Sequence, residues 1–155
     1  MKSFPVTVKW LGSLVALALA ATAAPGLAQQ PAAAGRIKVA SGSAFIVRGG
    51  AQMPARPGES IFEADVLRTG ADGRLGVTLK DDTRVSLGPA SEVQVHTFVY
   101  APTEGHVALV LKVVRGVAAY VSGRIAKLSP DAVRLETPAA IVGVRGTTLA
   151  IKADE

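Results

Sequence analysis

The chain has 155 residues, no cysteine, and 17 Lys and Arg against 12 Asp and Glu, giving a net charge of +5. Without cysteine there are no disulfides and no thiolate metal ligands, so the fold must be held by apolar burial, for which this length suffices for one domain. The cations are scattered singly and few rings accompany them, which speaks against the basic stripe with stacking aromatics that a nucleic-acid surface needs.

The N-terminus reads as a targeting segment. Lys2 and Lys9 give it a positive start, Leu11 to Ala24 is apolar apart from Gly12, Ser13 and Thr22, and Pro25-Gly26 precedes a small-residue site at Gly26-Leu27-Ala28. About 14 apolar residues fall short of the roughly 20 that span a bilayer, so a signal peptide over 1–28, cleaved after Ala28, is expected rather than a stable membrane span. Loss of Lys2 and Lys9 leaves 15 basic and 12 acidic residues, a net charge of +3. The mature protein is expected to be periplasmic or secreted, with 29–36 as a flexible leader and 37–155 as one β domain.

In chain order the strand candidates are Ile37 to Val39, Ala44 to Arg48, Val66 to Thr69, Arg74 to Leu79, Thr83 to Leu87, Glu92 to Val99 and His106 to Val114. Val117 to Val121, Val133 to Glu136, Ile141 to Arg145 and Thr147 to Lys152 follow. Leu75, Val77 and Leu79 alternate with Gly76 and Thr78, and Val93 and Val95 with Glu92, Gln94 and His96, the period of strands with one wet face. Ser122 to Leu128 suits a short helical turn that Pro130 stops.

Turn signals separate these runs at about ten-residue intervals. Gly58, Gly70, Asp72, Gly73, Asp81, Asp82, Gly143 and Gly146 are expected to be structural turn residues. Seventeen valines between residues 37 and 155, with few aromatics, favour a narrow aliphatic core. The expected fold class is all-β, a short-strand β-solenoid or β-roll-like single domain, with a small β-sandwich as the alternative.

Candidate chemistry is thin. His96 and His106 have no carboxylate at zinc-site spacing, Asp81-Asp82 are adjacent and suit a turn better than an acid/base pair, and Gly70-Ala71-Asp72-Gly73 lacks the repeat of a calcium β-roll. Neither a nucleophile elbow nor a phosphate loop is present. The expectation is no metal, no cofactor and no enzyme activity. Arg145, set between Gly143 and Gly146, is read either as tying a turn through its guanidinium or as meeting a partner.

Three blocks carry a family resemblance: Arg56-Pro57-Gly58 with Asp65-Val66-Leu67-Arg68-Thr69-Gly70; Leu79 to Leu87 around Asp81-Asp82-Thr83; and Thr137-Pro138-Ala139-Ala140-Ile141-Val142-Gly143-Val144-Arg145-Gly146-Thr147. Together they resemble the FecR-type domain over Val39 to Ile151, with Thr148 standing where that pattern has an acidic residue. The family is named for a periplasmic regulator that relays transporter occupancy to a cytoplasmic sigma factor. The resemblance implies a β domain that works by binding another envelope protein, in sensing and relay or as a scaffold.

Only ten residues precede Leu11, where the apolar N-terminal run begins, so no direct sigma-factor contact is expected. The last strand, Thr147 to Lys152, is expected to keep an open outer edge that pairs with an envelope protein or a second copy, with Arg145, Thr147, Leu149 and Ile151 as partner contacts. The alternative function is a cell-wall carbohydrate-binding module using Tyr100 or Tyr120 as a sugar platform.

Overall fold

Leu75, Val77 and Leu79 are buried and Arg74 is exposed, so the segment that alternates in sequence forms a strand with one face in the core. The same alternation recurs through the computed structural model, which describes residues 28–146 and 148–154. The expected signal peptide, Met1 to Ala28, lies outside the described residues apart from Ala28 itself. All described strands belong to the unit Pro31–Glu155.

The strands are β1 (Gly35–Ser41), β2 (Ala44–Arg48), β3 (Ala51–Pro54), β4 (Ser60–Ile61), β5 (Val66–Thr69), β6 (Arg74–Leu79), β7 (Arg84–Leu87), β8 (Glu92–Ala101), β9 (His106–Val121), β10 (Val133–Glu136), β11 (Ile141–Gly143) and β12 (Thr148–Ala153). A short helix, α1 (Arg124–Leu128), and a 3-10 turn at Pro130–Ala132 separate β9 from β10. The domain is all-β, as expected.

The 16-residue β9 organises the sheet. One edge carries β7 and then β8 in almost continuous antiparallel register, from Arg84 opposite Val121 to Ala101 opposite His106. The other edge carries β10, parallel, along Leu109–Lys112, and β12, antiparallel, along Gly116–Val121. One half of the sheet therefore runs β4-β1-β6-β7-β9-β12, and the other β3-β2-β5-β8-β9-β10-β11. Both line one core: Ile37, Leu75, Val85 and Tyr120 come from the first half, and Ile46, Leu67, Val93, Leu111 and Leu135 from the second. The short-strand rhythm thus builds antiparallel pairs in a curled sheet rather than the parallel rungs of a solenoid coil. Among the described residues β10 on β9 is the one parallel pairing.

The crease between the halves is held by polar side chains. Thr69 Oγ1 donates to the Gly88 carbonyl at 2.7 Å and accepts the Ser91 amide at 2.9 Å; Ser91 Oγ donates to the Pro89 carbonyl at 3.0 Å and accepts the Val117 amide at 2.9 Å. These bonds satisfy backbone groups that the sheet ladder loses where the chain passes from β7 to β8.

Several bounds differ from expectation. β3 pairs with β2 across Gly49-Gly50, whose φ angles of 56° and 82° suit a two-residue hairpin turn, yet its exposed Ala-Gln-Met-Pro carries no apolar alternation. The break expected at Arg115-Gly116 is a bend inside β9, and the leader expected to reach Arg36 ends earlier. Ala34 is buried, donates its amide to the Ile61 carbonyl at 2.7 Å and accepts the Lys80 amide at 2.8 Å, so pairing begins before Ile37.

Candidate functional site

The turn blocks serve the fold. Asp81 is fully buried: its carboxylate accepts the Thr83 hydroxyl at 2.7 Å and amide at 3.2 Å, and the Ile125 amide at 3.3 Å, while its carbonyl accepts the Arg124 amide at 2.6 Å. It thereby ties the β6–β7 turn to the start of α1. Asp82, at φ 67°, is exposed and pairs with Arg124 at 3.0 Å, so the adjacent carboxylates diverge. Gly73 packs against the chain reversal before β2, where an added Cβ would fall 2.0 Å from the Ser43 carbonyl; Gly70 donates its amide to that carbonyl at 2.8 Å, and Asp72 Oδ1 accepts the Ser43 amide at 3.3 Å. Gly58 holds φ 88° and donates its amide to the Ile37 carbonyl at 2.8 Å.

Asp65, 1% exposed, anchors a second cluster. Arg48 meets it with two prongs, Nε to Oδ1 at 2.8 Å and Nη2 to Oδ2 at 2.7 Å; Nη2 also donates to the Ser60 carbonyl at 3.0 Å, and the Phe62 amide donates to Oδ2 at 2.8 Å. The guanidinium lies 4.5 Å from the Phe62 ring centre. Asp65 raises the Arg48 pKa by hydrogen bonding, partly opposed by burial.

The segment from β11 to β12 differs in kind. Gly143 and Gly146 are exposed, neither has a positive φ, and a Cβ added to either would meet open space. Nothing within the described structure demands glycine there. Val144 is buried in the core and fixes the segment, and the Ser122 hydroxyl donates to the Gly146 carbonyl. Arg145 points outward, its guanidinium 3.7 Å from the Asp131 carboxylate with both side chains mostly exposed, a pairing that solvent screens heavily. Of the two roles expected for Arg145, the described contacts include no carbonyl tied by its guanidinium. Two depressions, of about 600 and 510 Å³, share Asp131, Val144 and Arg145 on their walls.

Of the expected partner contacts, Thr147 lies outside the described residues. Leu149 is half-buried against the core and Ile151 is 9% exposed, so these side chains face inward; the outward row of β12 is Thr148, Ala150 and Lys152. What β12 offers to solvent is therefore its backbone edge and that small polar row. Among the described residues β12 pairs with β9 alone. Ser122, Lys127 and Asp131, which complete the surroundings of Arg145, carry no sequence signal, because the fold brings them there from α1 and its flanking turns.

His96 and His106 are both exposed, and no group of three metal-capable side chains converges among the described residues. Tyr120 is buried, and burial raises its pKa; Tyr100 is half-buried against the core. The buried Tyr120 ring has no open face of the kind a sugar platform uses. Among the described residues no helix is long and apolar enough to cross a membrane.

No curated protein and no solved structure matches the chain. A profile of the family described as FecR protein matches residues 65–155, from the buried Asp65 through β12. With more than half of its length matched, the chain belongs to the FecR protein family, whose domains serve signalling and relay.

Proposed function

We propose that this chain is an exported, non-enzymatic interaction domain of the cell envelope that senses and relays, or scaffolds, by binding another envelope protein or a second copy of itself. The observation that carries the reading is β12: a six-residue strand bonded to β9 along one edge and to no described strand along the other. Such an edge offers amides and carbonyls to an incoming strand. Beside it lie the exposed Gly143 and Gly146, which let a partner's backbone approach closely. Asp81 and Asp65, the carboxylates buried deepest, are consumed by structural bonds, which supports a role without catalysis. The signal passes to a separate protein.

Photo-crosslinking tests this. A photoreactive residue at Lys152 should trap a discrete protein product in envelope extracts, and one at Gln94, on the other half of the sheet, should not. Equal trapping at both positions overturns the edge reading, and retention by purified cell wall instead turns it toward the carbohydrate alternative. Export has its own check: the mature protein should begin at Gln29 and be released by osmotic shock, and material retaining Met1 in the membrane fraction contradicts it.

A further inference from the structure

The outer face of the half-sheet β1-β6-β7-β9-β12 carries several cations and few counter-charges. The strands carry Arg36, Lys38, Arg74, Arg84 and Lys152 on this half, and neither Asp nor Glu; Lys112 and Arg115 of β9 lie where that strand pairs with β8. Among the described residues no acidic side chain pairs with Arg36, Lys38, Arg74 or Arg84; Lys152 meets Asp154 at 2.9 Å. On the other half most cations are paired, Arg134 of β10 being the exception among the described residues. Arg68 and Arg115 share Glu92 at 3.0 and 3.7 Å, Lys112 meets Glu136 at 3.7 Å, and Arg48 meets Asp65. Four cations without an acidic partner, Arg36, Lys38, Arg74 and Arg84, thus gather on the face of β1, β6 and β7.

Strand register arranges that face into a channel. Its floor is the cross-strand row Val39, Gly76, Ser86, Ala119 and Ala150, each opposite the next. On one flank runs the row Arg36, Thr78, Arg84, Val121 and Thr148. Arg74, opposite Ser41, and Lys152, opposite Val117, stand on the other flank. Apart from Val39 the floor residues are small; Val39 and, on the flank, Val117 are 57% and 44% exposed, and a depression of about 390 Å³ lies along Val39, Gly76, Ser86 and Val117.

Its dimensions select an occupant. Thr78 and Arg74 are four residues apart on β6, which separates the flanks by about 13 Å at the strand rise. An α-helix with its side chains is about 10–12 Å across and fits between them. The five strands cover about 19 Å at strand spacing, the length of roughly 13 helical residues. A DNA duplex is too broad for the channel. Single-stranded nucleic acid and sugars lack rings to stack on, and a lipid surface lacks large apolar anchors, since no aromatic residue lies in these outward rows.

We infer that this face is a docking site for an acidic amphipathic helix of a partner protein, laid across the strands with its apolar ridge on Gly76, Ser86, Ala119 and Ala150 and its carboxylates against Arg36 and Arg84 on one side and Arg74 and Lys152 on the other. The site uses the outward face of β12, at Ala150 and Lys152, rather than its open backbone edge, and does not depend on the edge reading.

The probe is a capped synthetic helix of about 14 residues with a Leu/Ala stripe flanked on both sides by Glu, added to the full chain and followed by anisotropy and amide NMR. Binding should weaken with salt and shift the amides of Gly76, Ser86, Ala119 and Ala150. The double variant Arg74→Ala, Arg84→Ala should weaken it about tenfold or more through lost charge complementarity. Ser86→Trp, which fills the floor and keeps every cation, should abolish it; both changes are at exposed positions, and a melting curve verifies the fold. Equal binding of a scrambled peptide of the same composition overturns the inference. So does displacement of the helix by heparin or anionic phosphatidylglycerol vesicles acting on the same amides, or a peptide that leaves those amides unmoved.

Discussion

Ser91 occupies the space that a side chain on Gly116 would need. A Cβ at Gly116 would lie 2.3 Å from Ser91 Oγ, and Gly116 holds φ 79°. That hydroxyl also accepts the Val117 amide at 2.9 Å, so the bend in β9 and the β7–β8 crease are one device. Gly116→Ala should cost about 2–4 kcal/mol, combining left-handed strain with a backbone shift. Gly143→Ala and Gly146→Ala, which meet open space, should stay within about 0.5 kcal/mol of the parent. Urea unfolding of the three variants distinguishes them, and equal losses would refute the difference assigned to these glycines.

The Arg48–Asp65 cluster predicts a graded response. Asp65→Asn removes the charge that accepts three hydrogen bonds and should cost about 1.5–3 kcal/mol. Arg48→Lys keeps the charge but loses the planar fork, so its loss should be smaller than that of Arg48→Ala. In a double-mutant cycle the two alanine changes should fall short of additivity. Additive losses in denaturant titrations would mean that the two side chains act separately.

Much of the fold was legible because alternation survives local reading. Val66–Thr69, Arg74–Leu79 and Val133–Glu136 alternate in burial and are strands with the expected bounds. Ala51–Pro54 was not legible, since its residues are mostly exposed and its place is set by the Gly49-Gly50 turn. The unity of β9 depends on Ser91 receiving the Val117 amide, a contact between distant parts of the chain. Leu149 and Ile151 stood out as the apolar residues of the last strand, and that same property turns them toward the core. Which face of β12 meets solvent is decided by its pairing with Val117, Ala119 and Val121, which sequence spacing does not encode.

The core carries a simpler prediction. Leu75 and Val85 are 1% and 2% exposed on neighbouring strands. Leu75→Ala should cost about 2–4 kcal/mol, and Val85→Ala somewhat less because fewer atoms are removed. Unfolding followed by circular dichroism should remain one cooperative β-type transition, unchanged by a chelator. A melting point that falls on chelation would reveal a metal.

Asp72 supplies a pH signature. The Ser43 hydroxyl, then the Ser43 amide, stabilise its charged form and lower its pKa. The carboxylate therefore adds stability above the unfolded value, about 3.9, and that contribution is lost as pH falls through the lower folded value. Its side chain is exposed, so salt should weaken the effect. The carbon signal of the Asp72 carboxyl should titrate below the ordinary aspartate value at low salt and move toward it at high salt. Asp72→Asn should lower the melting point at neutral pH, with the gap to the parent closing in acid. A titration at the ordinary value would remove the Ser43 contact from the solution structure.

The open edge of β12 can be read amide by amide. Along an antiparallel strand the N–H groups alternate between the two edges, so successive amides from Leu149 to Ala153 should alternate between slow exchange, where they bond to β9, and fast exchange, where they face solvent. Binding of a partner strand, or association of a second copy, should slow the fast set and leave the slow set unchanged. Ala150→Pro removes a donor in the middle of the strand. If that amide faces outward, the variant should melt like the parent and associate more weakly; if it faces β9, the melting point should fall first. The exchange pattern of the parent identifies which case applies before the variant is made. A complex in which the fast β12 amides stay fast would show that the partner binds elsewhere, and would leave the cationic face of β1, β6, β7 and β9 as the surface to map next.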